Sequence, residues 1–436
     1  MNKQEWMKKA LQAGIEEVEI FETQAKCKTI NLFEGKVDNY KISIDQNYLI
    51  KATINKKLGI CNCANLDEEN ADKVIQGLIE SAHLIESADE VNFYEGEKEY
   101  PSVRMRENRF KYHSYETKVD LLKEIERCCF QADGRVRQVM DVELAEIENT
   151  TSIVNSKGLN LQRVEDYAMV AVSLLASEEK DQKSGYHADF IVDDSFDVER
   201  FVDKVVKDTV NKLNAKPVSS AVYPTIIHRE AMRSLLAAFK GLFVGENVYK
   251  GISLLKDKVG EQIFSEKISI VDDALIDYQF NSVAFDDEGV SGKRKVLVEN
   301  GILKGYLHNL KSATMMNTES TGNGFGGGTG TTNFAIANGN IAYDALIEQM
   351  DKGIIITDIS GLHAGINTMT TQFSLLASGY LVENGEIVKS VNLITIAGVF
   401  MDMMKEVVAV GDDLEYGLSG VGAPSILFKG CAISGE

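Results

Sequence analysis

The phrase Val-Glu-Asn-Gly occurs twice with an apolar residue following, in Val298-Glu299-Asn300-Gly301-Ile302 and in Val382-Glu383-Asn384-Gly385-Glu386-Ile387. A type I′ turn needs positive φ at both central residues, which Asn and Gly adopt with the least strain. Each phrase therefore predicts a tight antiparallel hairpin and commits its surroundings to β-structure. The repeated Val-Glu-Asn-Gly hints at pseudo-repetition, but four residues are too few to establish a duplication. Alternating β signals also open the chain, at Val18–Phe21, Lys28–Leu32, Tyr40–Ile44 and Tyr48–Ile50. Such alternation points to an antiparallel sheet with one wet face.

Helical periodicity interrupts these strands at intervals, so the expected class is α+β. An α/β N-terminal region, an antiparallel sheet with covering helices, is followed by a β-rich C-terminal domain. Residues 4–13 read as a helix ending at Gly14. A second, from Asp67 to Ile85, carries Ala71, Val74, Ile75, Leu78, Ile79 and Ala82 on one face. Glu90 to Arg109, charged, aperiodic and containing Pro101, reads as a linker that closes a first unit over 1–100. A second unit spans 105–216. Its helix is expected to start at a Thr117/Asp120 capping box and to bury Val119, Leu121, Leu122 and Ile125. Strands are expected over Val139–Ile147, Ser152–Val154 and Ala168–Leu175, with a turn at Asn155-Ser156-Lys157-Gly158. A helix over Val198–Leu213 leads to a boundary at Lys216-Pro217. In the third unit, 222–436, the strand Tyr223–Ile227 precedes a helix through Ala231, Leu235, Leu236, Ala238, Phe239 and Leu242. The glycine run Thr321–Gly330 reads as an irregular loop, either a mobile flap or a disordered surface segment.

The 436 residues carry a net charge of -20, which argues against nucleic acid or an anionic membrane as the principal partner. No run of about 18 apolar residues suggests a membrane span. The N-terminal segment has no apolar signal core, so a cytoplasmic protein is expected. The six cysteines lack the paired spacing of a structural zinc site. Cys61 and Cys63 share a strand face, and Cys128-Cys129 end an apolar helix; all four read as core.

The chemistry-bearing candidates are sparse. His228-Arg229-Glu230 has a metalloprotease flavour, but Glu230 lies about 200° round a helix from His228, and Met232 and Arg233 supply no second ligand. His228 reads instead as a helix start. His308 and His363 stand alone in sequence, one imidazole each, and read as structural or surface residues. The glycine run has no Gly-Lys-Ser/Thr and contains no lysine, so it is not a phosphate loop. No Gly-x-Ser-x-Gly elbow occurs. Asp272-Asp273, Asp286-Asp287-Glu288 and Asp412-Asp413 read as solvated turns or helix caps.

The order of segments in the third unit resembles the TldD/PmbA family of two-component metallopeptidases. The segments are the strand and helix from Tyr223, then Val259-Gly260-Glu261-Gln262, Ile268-Ser269-Ile270 and Asp272-Asp273. Thr321-Gly322-Asn323, Gly379–Gly385, Ile394–Gly398 and Gly422-Ala423-Pro424-Ser425-Ile426-Leu427 extend the likeness. In that family the TldD-type chain carries His-Glu-x-x-x-His on this helix, a motif that aligns with Ala237, Ala238 and Leu242 here. The resemblance therefore implies a PmbA/TldE-like subunit with no metal or cofactor of its own and no catalytic residue. Zinc is expected in a TldD-type partner chain, with a heterodimer as the assembly and a homodimer as the alternative. Unfolded peptide is the implied substrate, and Gly322, Asn323, His363 and Asn367 are the implied channel positions. The segment around His363 matches one that can supply a Cys ligand in the TldD-type relative. Two other readings are open: an active metallopeptidase using His228, His308 and His363, or a non-enzymatic peptide-binding homodimer.

Overall fold

The computed structural model describes residues 2–84 and 93–436. The expected helix end at Ile85 and linker start at Glu90 lie outside the described residues. Helix α1 (Lys3–Gln12) is held by a reciprocal cap, in which Asn2 accepts from the Glu5 amide and Glu5 accepts from the Asn2 amide. The four early strand signals merge into two long strands, β1 (Glu17–Phe33) and β2 (Lys36–Ile54), followed by β3 (Lys57–Cys63). Their turns, Glu34-Gly35 and Asn55-Lys56, have positive φ at every position. These are two-residue hairpins without the Asn-Gly signature.

Helix α2 (Ala71–Leu84) follows, then α3 (Tyr115–Ala132). The expected capping box at Thr117 is corrected: Ser114 is the cap and accepts from the Thr117 amide at 3.2 Å, leaving Thr117 inside the first turn. Next come β4 (Val136–Asn155), β5 (Asn160–Glu178), β6 (Asp181–Ile191) and α4 (Val198–Val210). Strand β1 pairs with β4 from Glu19↔Asn155 to Leu32↔Val142. The first two units thus share one antiparallel sheet of order β3-β2-β1-β4-β5-β6. Val18 and Ile20 of β1 pack with α1 and α2, whereas Ile30 and Leu32 pack with α3 and α4. All four are even-numbered and share a strand face, so the helices cover one side of the sheet. On the other side, Phe21, Ile153 and Leu159 meet Phe285 of the C-terminal domain.

That domain opens with β7 (Ala221–Ile227), α5 (Arg229–Phe239), a 3₁₀ turn at Lys240–Phe243 and α6 (Gly245–Tyr249). Strands β8 (Ile270–Asp273), β9 (Arg294–Glu299) and β10 (Ile302–Leu303) precede α7 (Leu310–Met315). Then follow β11 (Gly324–Phe325), β12 (Gly328–Thr329), β13 (Asn333–Ile336) and α8 (Tyr343–Met350). The chain continues through β14 (Gly353–Ser360), β15 (Ile366–Asn367), β16 (Gln372–Glu383), β17 (Glu386–Val399) and α9 (Phe400–Met403). It ends with β18 (Val407–Val410), β19 (Glu415–Tyr416), β20 (Val421–Ala423) and β21 (Ile426–Ser434). Both Asn-Gly turns form as expected, with positive φ at Asn300, Gly301, Asn384 and Gly385.

Pairing runs β14-β7-β21-β17-β16, and β16 pairs again with β14, so five strands close into a ring without free edges. A second sheet has the order β10-β9-β8-β13-β20-β19. The parallel pairs β7–β14 and β13–β20 are exceptions to the antiparallel pattern. Helix α5 lies between ring and sheet, burying Met232, Leu235, Leu236 and Phe239 in a core shared by both.

A close approach holds α4 on the sheet. Gly185 of β6 faces Thr209, and a Cβ there would overlap Thr209 Oγ1, whose hydroxyl donates to Val205 O at 2.6 Å. Gly185→Ala should destabilise the protein by about 1–3 kcal/mol through overpacking. Thermal unfolding checks this, and adding Thr209→Ala should recover part of the loss by clearing the overlap.

Candidate functional site

The β7–α5 junction places the first candidate. β7 ends at Ile227, and the extended backbone of His228 (φ -61°, ψ 148°) makes it the N-cap of α5, the helix-start role expected for it. Its imidazole is half-buried, sits edge-on to the Tyr343 ring at 5.4 Å, and has a buried Nδ1 with no hydrogen-bond partner among the described residues. Burial pushes its pKa below the ordinary histidine value, favouring the neutral ring.

Helix α5 stops at Phe239, and the following 3₁₀ turn carries Leu242. Leu242 is buried, while Ala237 and Ala238 are half-buried and pack against the same core. Ala238 and Leu242 line a cavity of about 120 Å³ with Phe239, Ser253 and Thr368. The tertiary fold thus brings the segment just after His363 and Asn367 to this turn. A zinc ion needs nitrogen, sulfur or carboxylate donors in a tetrahedral set, and these three side chains offer only carbon. The residues do not fit a metal here. Among the described residues, no group of three or more His, Cys, Asp and Glu is arranged to hold one anywhere.

His308 and His363 occupy unrelated settings. The buried His308 ring lies against Gly245, where a Cβ would overlap it, and its Nδ1 meets Ser312 Oγ at 3.3 Å. Its backbone anchors Thr321: the His308 amide donates to Thr321 Oγ1 at 2.7 Å and its carbonyl accepts from the Thr321 amide at 3.0 Å. His363 is exposed in the turn before β15, and the exposed Asn367 accepts from the Met369 and Thr370 amides.

The expectation of an irregular glycine loop is corrected. Gly324-Phe325 and Gly328-Thr329 form a small hairpin around Gly326-Gly327, both at positive φ. Acidic side chains hold it: Asp286 accepts from the Gly324 amide at 2.7 Å and Asp287 from the Gly326 amide at 2.9 Å. Gly322 packs directly under the Ser291 carbonyl, and Asn323 is fully buried. Asn323 Nδ2 donates to Asp272 at 2.8 Å and to Gly330 O at 2.9 Å, while its Oδ1 accepts from Lys295 Nζ at 3.1 Å. Asp272 in turn pairs with Lys295 at 2.9 Å and accepts from the Thr332 amide at 2.7 Å.

The reading of these carboxylates as solvated turns is therefore also corrected, since Asp272 and Asp286 are wholly buried. Spacing could not show this, because their partners lie up to 60 residues away. Burial, countered by three backbone N–H donors and reinforced by Glu288, raises Asp286 to about 7. Burial likewise raises Glu288 and, across the domain boundary, Glu19.

Sequence reasoning missed the principal clefts. One of about 550 Å³ opens between α4 and α5 and is lined by Lys204, Asp208, His228, Glu230, Tyr343 and Tyr380. Lys204 pairs there with Glu230 at 2.6 Å. A neighbouring cleft of about 750 Å³ shares Arg233 with the first and adds Arg106, Phe190, Arg200, Phe280 and Tyr416. These residues converge from stretches scattered between Arg106 and Tyr416, and no local motif marks them.

Fold and site together define an α+β chain with polar clefts beside α5 and a helix whose key turn is aliphatic. A profile of the PmbA/TldA metallopeptidase C-terminal domain matches residues 220–435, and one of the central domain matches residues 108–213. A metalloprotease PmbA homologue of Haemophilus influenzae is 29% identical, spanning 74% of this chain and 72% of that protein. Metalloprotease PmbA of Escherichia coli O157:H7 is 31% identical over 52% of this chain and 49% of its own length. A solved Thermotoga maritima structure, described as a candidate modulator of a DNA gyrase, superimposes with TM-score 0.91. It is 30% identical and covers 99% of both chains. TldE from Thermococcus kodakarensis shares the fold, with TM-score 0.88, 23% identity and 99% coverage of both chains. The chain belongs to the PmbA/TldD metallopeptidase family.

Two outcomes follow from the buried charges. Lys295→Met leaves Asp272 buried without its cation, and denaturant unfolding should register a loss of about 3–5 kcal/mol. Asp286 binds its proton more tightly when folded than the ordinary value of 3.8 allows, so its stabilising contribution is greatest below that pH and is lost as pH rises towards about 7. Asp286→Asn should remove this dependence. Its melting temperature relative to the parent should rise between about pH 4 and 7 and then level off.

Proposed function

We propose that this chain is the PmbA/TldE-like, noncatalytic component of a cytoplasmic peptidase that degrades or trims unfolded peptides, with zinc carried by a TldD-type partner chain. The carrying observation is the end of α5 and the turn after it, where Ala237, Ala238 and Leu242 pack on the core and offer no donor atom. The names of the curated relatives, metalloprotease PmbA and metalloprotease TldD homologue, support proteolysis as the business of the family. The likeness to a solved TldE supports the choice of subunit type. No helix among the described residues is long and apolar enough to cross a membrane, and the net charge of -20 disfavours nucleic acid. Catalysis through His228, His308 and His363 has no comparable support. One caps a helix, one is buried against α6, and one lies on the surface.

A subunit of this kind contributes walls instead of ligands. An enclosed channel admits an extended segment through backbone pairing and pockets for alternate side chains, and excludes folded proteins. The polar clefts flanking α5 are suited to that task. Purified chain, replete with zinc, should leave an unstructured peptide uncut. Cleavage should appear when a TldD-type chain is added and vanish with chelator, as mass spectrometry of the peptide would record. Chelator-sensitive cleavage by the isolated chain would overturn the proposal.

A further inference from the structure

The cleft of about 750 Å³ beside α5 has a charge balance opposite to that of the whole chain. Arg106, Arg200, Lys204, Arg229 and Arg233 line it together with four carboxylates, those of Asp189, Asp197, Glu230 and Glu415, in a protein of net charge -20. Lys204 pairs with Glu230 at 2.6 Å, and Glu415 takes both Arg229 and Arg233, each at 2.9 Å. Asp189 and Asp197 accept backbone amides, from Phe190 at 2.8 Å and from Arg200 at 2.9 Å. Among the described residues, neither the Arg106 nor the Arg200 guanidinium has an ion-pair partner.

Arg106 is nonetheless held in place. Its Nε donates to the Tyr278 carbonyl at 2.7 Å, and its guanidinium lies over the Phe280 ring at 5.4 Å from the centroid. Phe280 in turn stacks on Phe190, with centroids 3.3 Å apart. An arginine fixed through Nε and an aromatic face keeps its two terminal Nη groups for a planar, bidentate acceptor. The cleft continues in both directions from here. It shares Phe190, Phe280, Asn281 and Leu418 with a cavity of about 200 Å³ that reaches Phe325 of the glycine hairpin. Through Arg229 and Glu230 it runs into the first cleft. A continuous depression of this kind suits an elongated ligand, one that offers carboxylates along its length and not only at a terminus.

We propose that this cleft binds an acidic, extended peptide segment, with Arg106 and Arg200 receiving its Asp or Glu side chains. Ion pairs formed in a recess are screened less than pairs on an open surface, and low-dielectric walls focus the field of the unmatched arginines. A basic segment gains nothing comparable, because Glu230 and Glu415 are already engaged by Lys204, Arg229 and Arg233. The surrounding surface of a chain with net charge -20 repels an acidic ligand everywhere else, so charge complementarity confines it to this cleft. Arg229, Glu230 and Arg233 belong to the first turns of α5, whereas Ala237 and Ala238 stand at its end. The site therefore lies apart from the aliphatic turn, and it selects a peptide by charge without cutting it.

This inference rests on the reading of the chain as a peptide-handling subunit, but its test involves neither zinc nor cleavage, so the two can fail separately. Fluorescence anisotropy of a labelled, amidated Gly-Glu repeat peptide, titrated with the full chain, should show saturable binding that weakens with added salt. The matching Gly-Gln peptide should bind about tenfold more weakly, since its amides form no charge-assisted pairs. Arg106→Gln and Arg200→Gln should each weaken binding of the glutamate peptide by about tenfold and leave the glutamine peptide unaffected. Arg127→Gln, on the exposed face of α3, should change neither. Circular dichroism checks the fold of each variant, and the comparison of the two peptides on the parent chain does not depend on any variant. A labelled oligothymidylate of equal charge should bind no better than the glutamine peptide. Equal affinity for both peptides, binding of neither, glutamate binding that survives both arginine substitutions, or a preference for the oligonucleotide would each overturn the proposal.

Discussion

Much of the C-terminal domain is organised around one fully buried carboxylate. Asp272 on β8 meets Lys295 from β9, Asn323 at the base of the glycine hairpin, and the Thr332 amide leading into β13. A buried ion is tolerated only when its charge and lone pairs are all engaged, so these elements must assemble together or not at all. The result is a fixed registry between two strands and the hairpin, and a glycine-rich segment that is tied down at both ends. A mobile flap would require those bonds to break.

The same logic acts at the domain boundary. Asp287 binds both the hairpin amide of Gly326 and Arg163 of β5, the latter at 2.6 Å, and Phe285 enters the apolar contact made by Phe21, Ile153 and Leu159. Arg104 pairs with Asp277 at 2.5 Å a short way along. These contacts fix the N-terminal sheet against the second sheet of the C-terminal domain. The clefts beside α5 are the space left between α4, β6 and that domain. Their polar lining reflects the helix that forms one wall: its inward face is aliphatic, and its outward face carries Arg229, Glu230 and Arg233.

How much could be read beforehand depends on whether the deciding partner was close in sequence. The Asn300-Gly301 and Asn384-Gly385 hairpins were legible because the turn itself demands those residues. Glu34-Gly35 and Asn55-Lys56 make turns of the same kind with less specialised side chains. Glu22, Gln24, Lys26 and Lys28 make one face of the middle of β1 polar, and Asp45-Gln46-Asn47 interrupts the apolar alternation of β2, so two continuous strands looked like four short ones. Thr117 resembled a cap, yet Ser114, one turn earlier, takes that role. Asp272 and Asp286 looked like surface acids because nothing within a few residues showed what would surround them.

By itself the sequence determined the α+β class, the hairpin positions and the absence of donor atoms on the α5 turn, since each is a property of local residue types. It also carried the likeness to a metallopeptidase family. Only the tertiary structure decided which acids are buried, that the first two units share one sheet, and where the clefts open. Burial and strand pairing are set by residues distant along the chain, and free energies of that origin leave no periodic trace in a sequence.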